Sequence, residues 1–256
     1  MKNVNFPIDA KWKPWTYSIP VQTFTGAATP AILSPRVTLD ATTWFVCTHA
    51  TLVGGAIRAL IRRNTDSFSN QALHSSMLFG TNLRPYYFPA PIFCGPSAEF
   101  GLDMTNAAGA ASTVRVQFHG IMVDGTRETV KAGVGPLATA NGFAEFYGYG
   151  MTRAYTANER EKMTQKLTGD FDFLLWELMA FSTGAFDSQF STSGDVHFDD
   201  NLIPNLGRFG TAEYPGFRQG WFMPGSSTAI LDIQDTSGAP NALEIGLMGV
   251  RFPKAQ

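Results

Sequence analysis

Apolar and polar residues alternate with a period of two along much of this chain. Val114, Val116 and Phe118 are interleaved with Arg115, Gln117 and His119, and Leu243, Ile245 and Leu247 with Glu244, Gly246 and Met248. Successive side chains of a strand point to opposite faces, so each set predicts a strand with one face toward a core. Leu102 and Met104 alternate with Asp103 and Thr105 in the same way. The stretches Asn106–Ala111 and Asp235–Pro240 follow, each an Asn or Asp with a later Gly (Gly109, Gly238). Gly tolerates positive φ, so each stretch predicts a hairpin turn. Trp44–Ala50 is apolar, aromatic and β-branched, which predicts a strand covered on both faces. Phe173–Phe181 alone suits a buried helix, but its match to Trp44–Ala50 assigns it to a strand as well.

That match belongs to a longer repeat. Leu102 and Leu231, Asp103 and Asp232, Gly109 and Gly238, and Gly120 and Gly249 all stand 129 positions apart. At the same offset Trp44–Asp66 lies over Phe173–Asp195, with Gly55-Ala56 over Gly184-Ala185. Phe79-Gly80-Thr81 matches Phe209-Gly210-Thr211 at 130. The blocks keep their order and apolar phase, which predicts a duplicated domain. Each copy reads as about seven short strands, in the first near 17–25, 33–39, 43–53, 56–63, 75–80, 98–105 and 113–123. That spacing suits an antiparallel sandwich, either jelly-roll or immunoglobulin-like, and the expected fold class is all-β, two tandem antiparallel β-sandwiches, jelly-roll-like, related by internal duplication. The expected division is an N-terminal arm over 1–14, a first sandwich over 15–125, a linker over 126–142 and a second sandwich over 143–256. Lys131–Ala140 is rich in small residues, as linkers are. Ala157–Lys162 suits either a helical turn or an exposed strand edge.

Composition agrees. Charged residues are 16% and aromatics 13%, with 21 Phe, 25 Gly and 15 Pro. Disordered chains have few aromatics and many charges, and long-helix proteins are rich in Ala, Glu, Lys and Leu, so both are excluded. The net charge of −2 gives no basic footprint for nucleic acid, and no direct nucleic-acid partner is expected. Arg58, Arg62 and Arg63 form the one dense basic cluster, read as a solvated strand face. No apolar run reaches the ~18 residues of a membrane helix, and Pro7, Asp9 and Lys11 stand where a signal peptide would be apolar, so neither membrane contact nor secretion is expected.

Candidate chemistry is sparse. No nucleotide-binding, nucleophile-elbow or zinc-protease motif is present. His49 aligns with Leu178 and His119 with Met248, which marks packing positions. Cys47 aligns with Trp176 and Cys94 with Met223, so both read as apolar sites with unlinked thiols. Asp103 and Asp232 are read as acceptors of backbone N–H groups at the turns. Asp195, Asp199 and Asp200, with His197 among them, offer hard oxygen ligands but match no calcium-loop spacing, and a polar loop is the reading taken. The Gly residues of Tyr147-Gly148-Tyr149-Gly150 predict close backbone packing. No catalytic, cofactor-binding or metal-ligating residue is assigned, and no cofactor or enzymatic activity is expected. The outward face of the last strand carries Gly246 and Met248 in the second copy where the first has Gln117 and His119. Exposed apolar surface of that kind marks an interface, expected here to be with another molecule, as is the Trp-containing segment Phe6–Trp15.

The string Asp170-Phe171-Asp172-Phe173-Leu174-Leu175-Trp176, the Phe209-Gly210-Thr211 element and the Asn/Asp–x–x–Gly turn resemble those of small β-sandwich virion proteins of tailed bacteriophages. The first copy departs, with Thr42-Thr43-Trp44 at the corresponding start. The resemblance implies a non-enzymatic structural protein located in the virion and made in the host cytoplasm. Such a protein would serve as capsid decoration or cement, or as a neck or tail attachment component. Its partners would be other copies of itself and other virion proteins. A double sandwich in one chain also resembles the double jelly-roll major capsid proteins of tailless, lipid-containing phages, which form pseudo-hexameric trimers. A carbohydrate- or surface-binding β-sandwich module is the reading outside that class.

Overall fold

A computed structural model describes residues 12–26, 32–139, 142–193, 201–205, 209–212 and 218–254. The first copy holds β1 (Trp12–Ser18), β2 (Gln22–Phe24), β3 (Arg36–Thr38), β4 (Thr43–Gly54), β5 (Ile57–Arg63), β6 (Asp66–Ser67), β7 (Leu73–His74), α1 (Ser75–Leu78), β8 (Tyr86–Cys94), β9 (Glu99–Asn106) and β10 (Ser112–Asp124). A connecting segment holds α2 (Arg127–Val134), a 3-10 turn and the paired strands β11 (Ala138–Thr139) and β12 (Gly142–Phe143). The second copy holds β13 (Glu145–Tyr155), β14 (Arg160–Lys166), β15 (Phe171–Ser182), β16 (Phe186–Thr192), β17 (Ile203–Pro204), β18 (Arg218–Met223), β19 (Thr228–Asp235) and β20 (Asn241–Pro253).

The sheet order is the same twice, with β17 the counterpart of β7. The first copy has sheets β1-β10-β4-β8 and β3-β9-β5-β6, and the second has β13-β20-β15-β18 and β14-β19-β16-β17. In the first copy β2 also pairs with β10 and β7 with β5. Strands alternate between the two sheets as the chain advances, which is the wiring of a jelly roll. Two tandem jelly rolls related by duplication are therefore present. Inward residues of both sheets fill each core: Phe45, Phe100, Leu102, Val116 and Phe118 in the first copy, and Phe173, Phe190, Leu231, Ile245 and Leu247 in the second.

Register refines the repeat. Ile57 lies opposite Asn106, and Phe186 opposite Asp235, so these strands keep the offset of 129. Gly120 pairs with Cys47 and Gly249 with Leu175, so β4 and β15 are related by 128 instead. Cys47 therefore corresponds to Leu175 and His49 to Glu177, not to Trp176 and Leu178. A slip of one residue exchanges the faces of a strand. Both strands are apolar on both sides, so alternation could not reveal it. Each carries a bulge at the equivalent place, at Thr48 and at Trp176.

Several local readings differ from the structure. The turns at Asn106–Ala111 and Asp235–Pro240 do not close hairpins, because β9 and β10, like β19 and β20, lie in opposite sheets. They are corners across the sandwich, with Gly109 and Gly238 at φ 72° and 71°. Residues 75–78, within a segment read as a strand, form one helical turn. Tyr86–Cys94, absent from the expected strands, is strand β8, with Pro89 and Pro91 within it. It lies at a sheet edge, where an unpaired N–H can be lost without cost to the ladder. Arg160–Lys166 is an edge strand, the second of the two readings offered for that stretch. In the segment expected as a linker, Thr126 caps α2 by accepting the Thr129 N–H, and Val130 and Val134 pack on Val46, Phe93, Val123 and Phe143. Trp12–Ser18, partly inside the expected arm, is an edge strand on β10, while residues 1–11 lie outside the described part.

Candidate assembly interface

The outer face of the sheet β13-β20-β15 is floored by glycines. A Cβ on Gly150 would stand 2.5 Å from Leu73 Cδ2, and one on Gly148 3.0 Å from Leu73 Cδ1. Only bare backbone admits the β7–α1 corner of the first copy this closely, which is the packing expected of the Tyr147–Gly150 string. Backbone groups join the two copies: Gly148 donates to Phe68 O at 3.0 Å and Ala212 to Ser76 O at 2.6 Å. His74 stacks on Phe181 with ring centroids 3.8 Å apart, Phe88 on Phe146 at 4.6 Å and Phe93 on Phe143 at 4.2 Å. Phe146, Met179 and Met248 of the second copy belong to the first copy's core cluster.

Three buried carboxylates are matched across this contact. Glu244 accepts the His74 backbone N–H and pairs with Arg58. Glu145 pairs with Arg63 at 2.5 Å and accepts the Phe93 N–H at 3.0 Å. Glu177 accepts the Tyr86 hydroxyl at 3.0 Å. A buried charge is tolerated when paired and hydrogen-bonded in this way. Burial nevertheless holds the Glu244 carboxyl above its usual range, against the opposing pull of the His74 N–H and Arg58. The Arg58, Arg62 and Arg63 cluster is thus not a solvated face. Arg58 and Arg63 clamp the second copy, and Arg62 holds Asp103 at 2.8 Å. Asp103 and Asp232 likewise serve guanidinium groups, of Arg36 and Arg62 and of Arg160, and not turn N–H groups. Asn106 and Asp235 take the turn role, accepting from the Ala108 N–H and the Ser237 hydroxyl, and Asp235 also accepts the Asn158 N–H of the β13–β14 turn.

Met248 is fully buried, as an interface position should be, but what covers it is the first copy of the same chain and not another molecule. Among the described residues, the matching face on the first copy, formed by β1, β10 and β4, is covered by α2 only at its Val46–Val123 end. Beyond that end it presents Arg115, Gln117, Thr16, Val53 and the His49–His119 pair. These two rings stack 4.7 Å apart at 9°, with the Tyr87 ring 4.5 Å from His49. Thr16 and Thr51 hydroxyls hold His119 at 3.0 Å each, and Thr48 holds His49 at 3.0 Å. Burial, with some repulsion from His119, pushes His49 down to about 4, and burial lowers His119 too. The pair is a neutral donor–acceptor patch at ordinary pH. Trp12, Trp15, Val53 and Tyr87 are each more than two-fifths exposed around it.

The remaining sequence candidates contribute little to this site. Cys47 and Cys94 are buried, unlinked thiols, and burial raises both. Asp195, His197, Asp199 and Asp200 lie outside the described residues. Among the described residues no three His, Cys, Asp or Glu side chains are gathered as metal ligands, and no helix is long and apolar enough to cross a membrane. Glu145, Glu177 and Glu244 were not singled out from sequence. A lone Glu on a strand otherwise apolar on both sides, as in Leu174–Met179, is the signal that marks such a residue.

No family model and no curated protein matches the chain. Among solved structures it is similar to the STIV MCP, with a TM-score of 0.48 and 8% identity over 93% of this chain and 96% of that one. It is also similar to the major capsid protein P2 from Bacteriophage PM2, with a TM-score of 0.45 and 9% identity over 94% of this chain and 99% of that one.

Proposed function

We propose that this chain is a non-enzymatic structural protein of a virus particle, a double jelly-roll unit that builds a coat by contact with further copies of itself. One observation carries the reading. Within the chain, the β7–α1 corner of the first jelly roll covers the outer sheet face of the second. The two patches differ, so the contact is head-to-tail and not self-complementary. Among the described residues, the equivalent strand pair of the second copy, β16–β17, and the equivalent face of the first, beyond α2, make no such contact. A chain built this way ends with both halves of an interface it has already formed once, and further copies can satisfy both. The sequence resemblance to phage virion sandwiches points the same way, and the low charge content suits a surface largely covered by neighbours. The coat role is favoured over decoration or neck attachment because it uses a repeated contact between identical chains. Analytical ultracentrifugation with electron microscopy tests it: concentration-dependent closed oligomers are expected, and a monomer at high concentration would overturn it. Mass spectrometry of purified particles should find the chain among the most abundant proteins, and a trace component would favour decoration or neck attachment.

A further inference from the structure

We infer that the β1-β10-β4 face of the first jelly roll docks the paired strands β16 and β17 of a second copy of this chain, at Asp187, Ile203 and Pro204, with Asp187 of one molecule against Arg115 of the next. The inference rests on the coat-building reading and names the surfaces and the pairing it would use.

Applying the internal equivalence once more gives the register. Within the chain Arg58, on β5 opposite His74 of β7, reaches Glu244 on β20, opposite Phe181 of β15. The residue equivalent to Arg58 is Asp187, on β16 opposite Pro204 of β17. The residue equivalent to Glu244 is Arg115, on β10 opposite Val53 of β4. Both charges are reversed together. Reversal at one position alone would have set like charges face to face, whereas reversal at both restores an attractive pair between chains. Among the described residues neither Arg115 nor Asp187 has an ion-pair partner, and Arg115 is exposed.

The surroundings are equally matched. Pro204 stands where His74 does and would meet Val53, which is 54% exposed, in place of Phe181. Ile203 stands where Leu73 does, above Thr16 and Ser18, which replace Gly148 and Gly150. Hydroxyl-bearing residues in place of glycines keep the corner further from the sheet and leave room for water. The joint between chains is therefore shallower and more polar than the joint within the chain, as suits a contact formed after each chain has folded. It is also reversible by salt, since exposed charges are screened.

The test is a charge-reversal cycle on the full chain, followed by sedimentation at low and high salt. Arg115→Asp and Asp187→Arg are each expected to weaken self-association by about tenfold or more. The double variant should return to within a few-fold of the parent. Both side chains lie off the cores, and circular dichroism and melting should match the parent. As a second readout, the chain carrying Arg115→Cys and Asp187→Cys should form covalent multimers with a short bismaleimide cross-linker, which spans the gap between Cα atoms that an Arg–Asp pair leaves and a disulfide cannot. Single variants that assemble like the parent, a double variant no better than the singles, or no cross-linked multimer would each overturn this pairing while leaving self-assembly intact. A parent chain that stays monomeric would instead overturn the coat-building reading beneath it.

Discussion

Gly120 and Gly249 lie beside the two bulges, where neighbouring strands come too close for a side chain. A Cβ on Gly120 would stand 2.1 Å from Val46 O, and one on Gly249 2.2 Å from Leu174 O. Backbone cannot swing aside as a flexible side chain does, so Gly120→Ala should cost about 1–3 kcal/mol in denaturant unfolding. Gly26→Ala, with nothing within 4 Å, serves as the near-neutral comparison. Two histidines set a pH dependence. Burial holds His49 and His74 down to about 4, His49 with help from His119 and His74 with help from Arg58. The unfolded chain takes up these protons near pH 6.5 and the folded chain only near 4, so the unfolded state binds more protons between those values. Stability from this source is present above pH 6.5 and is lost as pH falls toward 4. Melting temperature should therefore drop across that window, and the drop should shrink in a His49→Gln/His74→Gln variant. An unchanged slope in that variant would assign the effect to other groups.

At the scale of elements, the sequence revealed most where one face of a strand is wet. The alternation of β9, β10 and β19 is visible because Asp103, Arg115, Gln117 and Asp232 interrupt it on the outer side. It was ambiguous for β4 and β15, which carry apolar residues on both faces. There the repeat identified the strands but misplaced them by one residue, because Thr183 lengthens the following turn. The candidate interface was half legible. Gly148, Gly150, Gly246 and Met248 announced close packing and an apolar outer face, but a list of residues does not say that the covering partner is in the same chain. Helix α2 was hidden by its Gly and Ala content, which suits a linker as well as a short amphipathic helix. Its place depends on Val130 and Val134 closing over Val46 and Val123. Val130→Ala should therefore lower stability by about 1–3 kcal/mol, measured by denaturant midpoint, without changing self-association. A concomitant loss of assembly would mean that the helix also forms part of the joint between chains.

At the scale of the whole molecule, the two jelly rolls are not beads on a string. Met248, Phe146 and Met179 lie in the first copy's core cluster, and Glu145, Glu177 and Glu244 are buried with partners supplied by the first copy. Separating the copies would open that apolar surface and take from Glu145, Glu177 and Glu244 the partners that the first copy supplies, which is costly for carboxylates that stay buried. Neither half then has a reason to remain folded once the other melts. The full chain should unfold in one cooperative transition, with calorimetric and van't Hoff enthalpies in agreement. Expressed alone, residues 143–256 should aggregate or expose hydrophobic surface to a dye such as ANS, because the glycine-floored face has lost the corner that fills it. The first copy alone, over 12–125, should fare better at that face, which is already polar, and worse where Val46, Phe93 and Val123 lose α2. Two separate calorimetric transitions, or a soluble second half with a sharp melt of its own, would show instead that the contact between the jelly rolls is an accessory to two independently stable units.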